Sequence, residues 1–327
     1  MPRVLVTDHV FSGLDIERQT LAPVGAEVVE APATDEATLV RLAAGVDAML
    51  VCYARVTPRV VEAAAGTCRV MARYGIGYDN IPVDLATKAG ILVTNVPDYC
   101  LDEVADHTMA LLLSFARHVS HAYVDVRAGG WKVPQSGMHR LRGRRLALIG
   151  TGRIGRRVAE RALAFGLEVT GYDPYAASWD LPQVTRCGSL EEALAEADFV
   201  SLHAPMSPEN LHLIGDRTIG LMHRAPIVIN TARGGLVDLD AALRGLDSGA
   251  LGGLALDVSE LEPLPADHPL RTHDRAIITP HIGFYSAEAQ DELQSRAADE
   301  VLRALKGEAP RCPVNAEVLD SSRPRRS

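Results

Sequence analysis

The sequence predicts an α/β protein built from two doubly wound parallel-sheet domains. Short runs rich in Val, Leu and Ile alternate with amphipathic helical stretches, and the series runs through the chain twice. A glycine-rich turn, "LALIGTGRIG" at 146–155, follows one complete α/β series and opens a second. The length of 327 residues suits about two domains of ordinary size.

The elements follow in order. "RVLVTD" (3–8), "AEVVEA" (26–31), "AMLVCY" (48–53), "RVMARYG" (69–75) and "ILVTNV" (91–96) read as strands, each followed by polar or turn residues. "DEATLVRLAAG" and "PRVVEAAAGT" between them suit amphipathic helices. "DYCLDEVADHTMALLLSFARHV" (98–119) reads as one long helix, capped by Asp98 or Asp102 and apolar nearly all round in its middle. A second strand set runs through 145–150, 168–173, 198–205, 226–232, 252–258 and 276–283. The last strong helix spans 286–307, with Ser286 as N-cap, Gly307 as C-cap and Leu293, Ala297, Val301 and Leu305 as its buried stripe.

Composition narrows the function classes. A net charge of −9 and a pI near 5.7 argue against a nucleic-acid binder, which needs a basic face to displace counterions. The basic run "RPRR" at 323–326 reads as a frayed end. Five cysteines without a CxxC pair indicate neither a disulfide framework nor a metal site. The N-terminus carries no long apolar run with a cleavage site, and no segment reaches 18 uninterrupted apolar residues, so no membrane role and a cytoplasmic location are expected.

Gly150, Gly152 and Gly155 form G-x-G-x-x-G directly after a strand and at the start of a helix. The first permits the tight turn, the second lets backbone approach a pyrophosphate, and the third lets helix and strand pack closely. Arg153 and Ile154 lie in the opening of that helix, whose free N–H groups favour phosphate. Asp173 ends the next strand, 18 residues after Gly155. A carboxylate there accepts ribose hydroxyls and repels a 2′-phosphate, and residues 172–178 hold no Arg or Lys to reverse that preference. The expected cofactor is NAD.

Three later strand ends carry polar groups that a domain interior does not need: Arg233 in "NTARGGLVD", Glu262 in "DVSELEPLP" and His281 in "TPHIG". In an open parallel sheet these all fall at the carboxyl edge, beside the glycine turn, where ligands gather. Reduction of a 2-keto acid needs a proton donor at the keto oxygen, a task suited to histidine. A carboxylate on the other ring nitrogen orients the imidazole, and a guanidinium fork binds a substrate carboxylate. Glu262 fits the first role and Arg233 the second, with His281 as acid and base.

With these residues in place, the sequence resembles the D-2-hydroxyacid dehydrogenase family from about residue 45 to 310. The matching pieces are "RYGIGYDNI" (73–81), "NVPDYCLDEVADHT" (95–108), the turn at 150–155, "HAP" (203–205), "NTARGGLVD" (230–238), "DVSELEP" (257–263) and "TPHIG" (279–283). The resemblance implies a Rossmann NAD domain, 99–287, inserted into a flavodoxin-like substrate domain made of 1–98 and 288–327. Substrate then lies between the domains, with hinges near 97–101 and 284–288. It implies the same catalytic set of Arg233, Glu262 and His281. Asp257 is implied as partner of the nicotinamide carboxamide. His203, Ala204, Pro205, Thr231, Ala232 and Arg233 line the cofactor cleft, with Thr108 as a further contact and His281 facing the nicotinamide. Backbone N–H groups at Ile76 and Gly77 should hold the substrate carboxylate. Tyr53, Ala54, Arg55 and Tyr285 should contribute to the substrate wall. A homodimer through the nucleotide domain is implied as well.

Formate-oxidising members of the family carry Gln where Glu262 stands, so the acid points to a 2-hydroxy or 2-keto acid substrate. "RYGIGYDN" and Phe284-Tyr285-Ser286 also resemble the C-terminal binding proteins, NAD-sensing dimeric corepressors. Such a binding module is the alternative to an enzyme.

Overall fold

The structure is a computed structural model in which residues 1–133 and 137–319 are described. The basic run at 323–326 lies outside the described residues. The chain divides into two compact units, Met1–Tyr99 with Ser286–Ser327, and Cys100–Tyr285.

The first unit opens with strands β1 (Arg3–Val6), β2 (Glu27–Glu30), β3 (Ala48–Val51), β4 (Val70–Arg73) and β5 (Leu92–Thr94). Helices α1 (Asp15–Leu21), α2 (Glu36–Ala43), α3 (Pro58–Ala64) and α4 (Val83–Lys88) connect them in turn. The strands form one parallel sheet in the order β2-β1-β3-β4-β5. Central β3 is buried throughout, as a strand covered on both faces must be, whereas edge strand β2 is not. Asp35 caps α2 by accepting the Thr38 N–H at 3.0 Å.

The second unit contains α5 (Leu101–Ala116), α6 (Val119–Arg127), β6 (Arg145–Ile149), α7 (Arg153–Ala164), β7 (Glu168–Tyr172), β8 (Val184–Arg186), α8 (Leu190–Ala195) and β9 (Phe199–Leu202). It continues through α9 (Asp216–Ile219), β10 (Ile227–Asn230), α10 (Leu239–Ser248), β11 (Gly253–Leu256) and β12 (Ala276–Ile278). Its seven strands are all parallel, in the order β12-β11-β10-β9-β6-β7-β8. The order reverses beside β6, the strand that ends in the glycine turn. Leucine, valine and alanine side chains from both faces of the sheet form its core.

The chain then returns to the first unit as α11 (Ala287–Lys306), capped by Ser286 and ended by Gly307 in the left-handed region at φ 74°. Leu293, Ala297 and Val301 are buried as expected, Leu305 only partly. Two polar residues are buried on the same helix. Gln294 donates to Glu17 and to the Gly13 carbonyl, and Glu300 accepts the Arg311 and Cys312 N–H groups. The segment after α11 runs antiparallel along edge strand β5, where Asn315 bonds Val93 and Ile91 backbone groups.

The expected single helix over 98–119 is two helices. The chain breaks at His118, which adopts φ 49°, and neither Asp98 nor Asp102 caps α5. Instead Asp98 pairs with Arg296, and Asp102 in the first turn pairs with Arg157 and Arg161 of α7. The hydrogen bond from Arg161, joined by the charge of Arg157, holds the Asp102 carboxyl below its usual range. Strand β8 is an element that the sequence does not announce.

Candidate active site

The glycine turn follows β6 directly. Gly150 sits at φ 96°, and a Cβ there would lie 2.7 Å from the His203 carbonyl carbon. Only glycine meets both conditions. At Gly155 a Cβ would lie 2.3 Å from the Gly150 carbonyl oxygen, so helix α7 closes onto the turn. At Gly152, the N-cap of α7, a Cβ would meet nothing within 4 Å. Its neighbours Arg153 and Ile154 are exposed and half-buried. No side chain caps α7, so its first N–H groups and partial positive charge face the open side. This is a cradle suited to a pyrophosphate.

Asp173 follows β7 and ties the two loops together. Its Oδ2 accepts the Thr151 N–H at 2.9 Å and the Thr151 hydroxyl at 3.2 Å, and its Oδ1 accepts the Tyr175 N–H at 3.0 Å. Each carboxylate oxygen accepts two or more bonds, so capacity for a ribose hydroxyl remains at Oδ1. The residues present therefore fit an NAD adenosine and pyrophosphate.

After β9 the chain passes through His203, Ala204 and Pro205. The His203 N–H donates to the Ile149 carbonyl, which locks this loop to the glycine turn. The residue is half-buried overall, but its ring is desolvated and its pKa is pushed down to about 4, leaving it neutral beside the Ser201 hydroxyl at 2.9 Å.

Arg233 sits three residues beyond β10. Asn230, fully buried at the strand end, donates to the Arg233 carbonyl at 2.8 Å and accepts the Ala232 N–H at 3.0 Å. That side chain shapes the Thr231–Ala232–Arg233 loop, a role that the sequence pattern does not reveal. Thr108, expected as a cofactor contact, is fully buried; its hydroxyl bonds the Val104 carbonyl and the Thr231 hydroxyl.

Glu262 and His281 meet. The His281 Nδ1 lies 2.6 Å from Glu262 Oε2, and Glu262 Oε1 accepts the Ser259 N–H at 3.1 Å. The contact is made through Nδ1, and Nε2 is the ring's other nitrogen. About a third of each side chain is exposed, 31% and 36%. His281 adopts φ 54° and donates its N–H to the Asp257 and Thr279 carbonyls. Phe284 packs edge-on against its ring, and Tyr285 edge-on against Phe284.

Asp257 was expected to bond a nicotinamide carboxamide. Its carboxylate is 4% exposed and already engaged: Oδ1 accepts from the Thr279 hydroxyl and the Ile282 N–H, and Oδ2 accepts from the Gly283 N–H. Burial pushes this carboxyl up, but His107, Thr279 and the two N–H groups together hold it below its usual range. The side chain builds the turn that carries His281. His107 completes this cluster with its Nε2 2.9 Å from the Thr279 hydroxyl; the sequence reading passes over it, although "ADHT" contains it.

In the first unit, Tyr53 and Arg55 are exposed, but Ala54 is buried in the core. Ile76 and Gly77 are half-buried. The Ile76 carbonyl accepts from Asn95 at 2.6 Å, while the Ile76 and Gly77 N–H groups find no partner among the described residues.

Residues 109–283 match the model of the D-isomer specific 2-hydroxyacid dehydrogenase NAD-binding domain. The chain is 37% identical over 317 residues to a D-3-phosphoglycerate dehydrogenase of Methanocaldococcus jannaschii, covering 96% of this chain and 60% of that protein. It is 40% identical over 261 residues to a glyoxylate reductase of Korarchaeum cryptofilum, covering 78% and 79%. Among solved structures, the TT0316 protein of Thermus thermophilus superposes with a TM-score of 0.87 at 37% identity, covering 95% and 99%. A D-lactate dehydrogenase of Aquifex aeolicus, complexed with NAD and lactic acid, superposes with a TM-score of 0.83 at 28% identity, covering 94% and 96%. These named relatives include dehydrogenases and a reductase and lend no support to the corepressor reading. By this family match and these identities, the chain belongs to the D-isomer specific 2-hydroxyacid dehydrogenase family, and residues 109–283 are its NAD-binding domain.

Proposed function

We propose that the chain interconverts a 2-hydroxy acid and the corresponding 2-keto acid with NAD(H). The observation that carries this is the 2.6 Å contact of His281 with Glu262, set at the carboxyl edge of the same sheet as the Gly150 turn. The nicotinamide, when bound, supplies or accepts the hydride. His281 Nε2 gives a proton to the keto oxygen, or takes one from the hydroxyl, while Glu262 holds the ring. Arg233 binds the substrate carboxylate and carbonyl through its planar fork. In the first unit, the unpartnered Ile76 and Gly77 N–H groups suit a carboxylate, and Tyr53, Arg55 and, from the second unit, Tyr285 are assigned to substrate contact.

One further observation favours a substrate with a second acidic group. The Arg73 guanidinium lies 5.8 Å over the Tyr53 ring and against Gly75, and its Nε is buried without a hydrogen-bond partner. Among the described residues no carboxylate forms a salt bridge with it, so an anionic ligand would give this half-buried cation a partner.

A screen of NADH oxidation over 2-keto acids, with and without a second carboxylate or phosphate, tests the reading. NADPH is run in parallel. Turnover with NADH, favouring the doubly acidic members, is expected. No turnover on any 2-keto acid would overturn the function.

A homodimer through the second unit is part of this reading. Val119, Tyr123, Val124, Val126, Trp131 and Val133 are all exposed within one short stretch, which is more apolar surface than an isolated helix needs. Sedimentation equilibrium should return twice the 35.1 kDa chain mass. The chain mass alone would remove the dimer.

A further inference from the structure

Two polar side chains in the first unit have no place in the chemistry above, yet between them they bond most of the backbone of one short loop. Asp8 lies just after β1. Its Oδ1 accepts the Cys52 N–H at 3.2 Å, and its Oδ2 accepts the Tyr53 N–H at 2.7 Å and the Ala54 N–H at 3.0 Å. Three successive N–H groups turned to one side form a concavity that favours an anion, and here the anion is a side chain from 44–46 residues away. Asn80 approaches the same loop with its amide. Its Nδ2 donates to the Cys52 carbonyl at 3.0 Å and to the Ala54 carbonyl at 2.9 Å, and its backbone carbonyl accepts the Val56 N–H.

The loop lies beyond the end of β3 and has no strand neighbour to satisfy these groups. Its side chains alternate: Cys52, Ala54 and Val56 are buried, and Tyr53 and Arg55 are exposed. The alternation holds only while the peptide planes keep their orientation. A carboxylate that accepts N–H groups and an amide that donates to carbonyls fix that orientation from outside the loop. A rotation of one plane would face an N–H toward Asn80 Nδ2 or a carbonyl toward the Asp8 carboxylate, and both contacts are repulsive.

We propose that Asp8 and Asn80 are positioning residues for substrate selection: they clamp Cys52–Ala54 and thereby hold Tyr53 and Arg55 on one outward face. This rests on the assignment of Tyr53 and Arg55 to substrate contact. Neither Asp8 nor Asn80 touches the reacting atoms, so the effect falls on substrate affinity and choice rather than on proton transfer.

The test uses the full chain. Asp8→Asn keeps the shape but turns one accepting oxygen into an NH2 that opposes backbone N–H groups. Asn80→Asp turns the donor into an acceptor facing two carbonyls. NADH oxidation is followed on the best 2-keto acid and on two poorer ones, NADH affinity is read from its fluorescence, and hydrogen exchange of the 52–54 amides is read by mass spectrometry. Exchange at 52–54 should accelerate in both variants. KM for the best keto acid should rise about tenfold, with a smaller fall in kcat, and discrimination between keto acids should narrow. NADH affinity should stay within about twofold, and Asp8→Glu should recover part of the loss. Faster exchange at 52–54 with unchanged KM and discrimination overturns the proposal, as does unchanged exchange. Asn80→Ser, which deletes the donor pair without adding a charge, decides on the same readouts if either first variant fails to fold. Wild-type chain that turns over no 2-keto acid would remove the function and this inference together; an active wild type with unaffected variants removes the inference alone.

Discussion

The two parallel sheets share an architecture and differ in what the polar residues at their strand ends bond to. In the second unit two of them bond side chain to side chain, His281 to Glu262 and Thr231 to Thr108, alongside residues such as Asn230 and Asp173 that bond backbone. In the first unit they bond the chain's own backbone: Asp8 to three N–H groups, Asn80 to two carbonyls, Asn95 to the Ile76 carbonyl. The side-chain pairing of His281 with Glu262 is what the proposed proton transfer requires. Bonding to backbone gives a loop one shape. Under the proposed function, the same fold divides labour between a unit that does chemistry and a unit that sets form, and the division can be tested side chain by side chain.

The largest effect belongs to the second unit. Because His281 and Glu262 are about one-third exposed, loss of the pair should hardly touch stability. Turnover is another matter. His281→Ala and Arg233→Ala should each lower kcat/KM by about 100-fold or more, with melting temperature nearly unchanged. Wild-type rates in both variants would break the contrast, because these side chains would then be as structural as those of the first unit.

The contrast also explains what was legible in the sequence. Strands of four or five apolar residues announce themselves, since burial on both faces selects Val, Ile and Leu. Strand β8 did not, because it has three residues and only Val184 is buried. The break at His118 falls inside a continuous helical pattern, and a single residue in the left-handed region leaves no mark on that periodicity. At the site, Arg233, Glu262 and His281 stood out because polar residues at buried strand ends are unusual. Asp8, Asn80, Asn230 and His107 did not. Three of them bond backbone, which every residue carries, so no partner side chain flags them. His107 finds Thr279 across 172 residues, a separation no pattern along the chain encodes. Asp257 was singled out as a carboxamide partner, and its carboxylate also holds the Ile282 and Gly283 N–H groups of the turn that carries His281, which the pattern did not announce.

The smaller and finer test lies within the glycine turn, where both behaviours occur two residues apart. Gly150 is structural: its positive φ and its 2.7 Å approach to the His203 carbonyl leave no room for a methyl group, and the obstacle is backbone. Gly150→Ala should destabilise the second unit by about 2–4 kcal/mol, through strain and overpacking together. Gly152 is open: φ is −69°, which alanine tolerates, and no protein atom lies within 4 Å of the added Cβ. Gly152→Ala should therefore change stability by less than about 1 kcal/mol, the cost of a poorer N-cap. It should still weaken NADH binding by about tenfold, because the methyl group occupies the space a pyrophosphate would enter. Urea denaturation and NADH fluorescence titration on the same two variants separate the outcomes. Equal affinity for NADH in Gly152→Ala and wild type would mean that the open side of this turn is not where the cofactor lies, and the cradle assigned to α7 would have to be given up even with the fold intact.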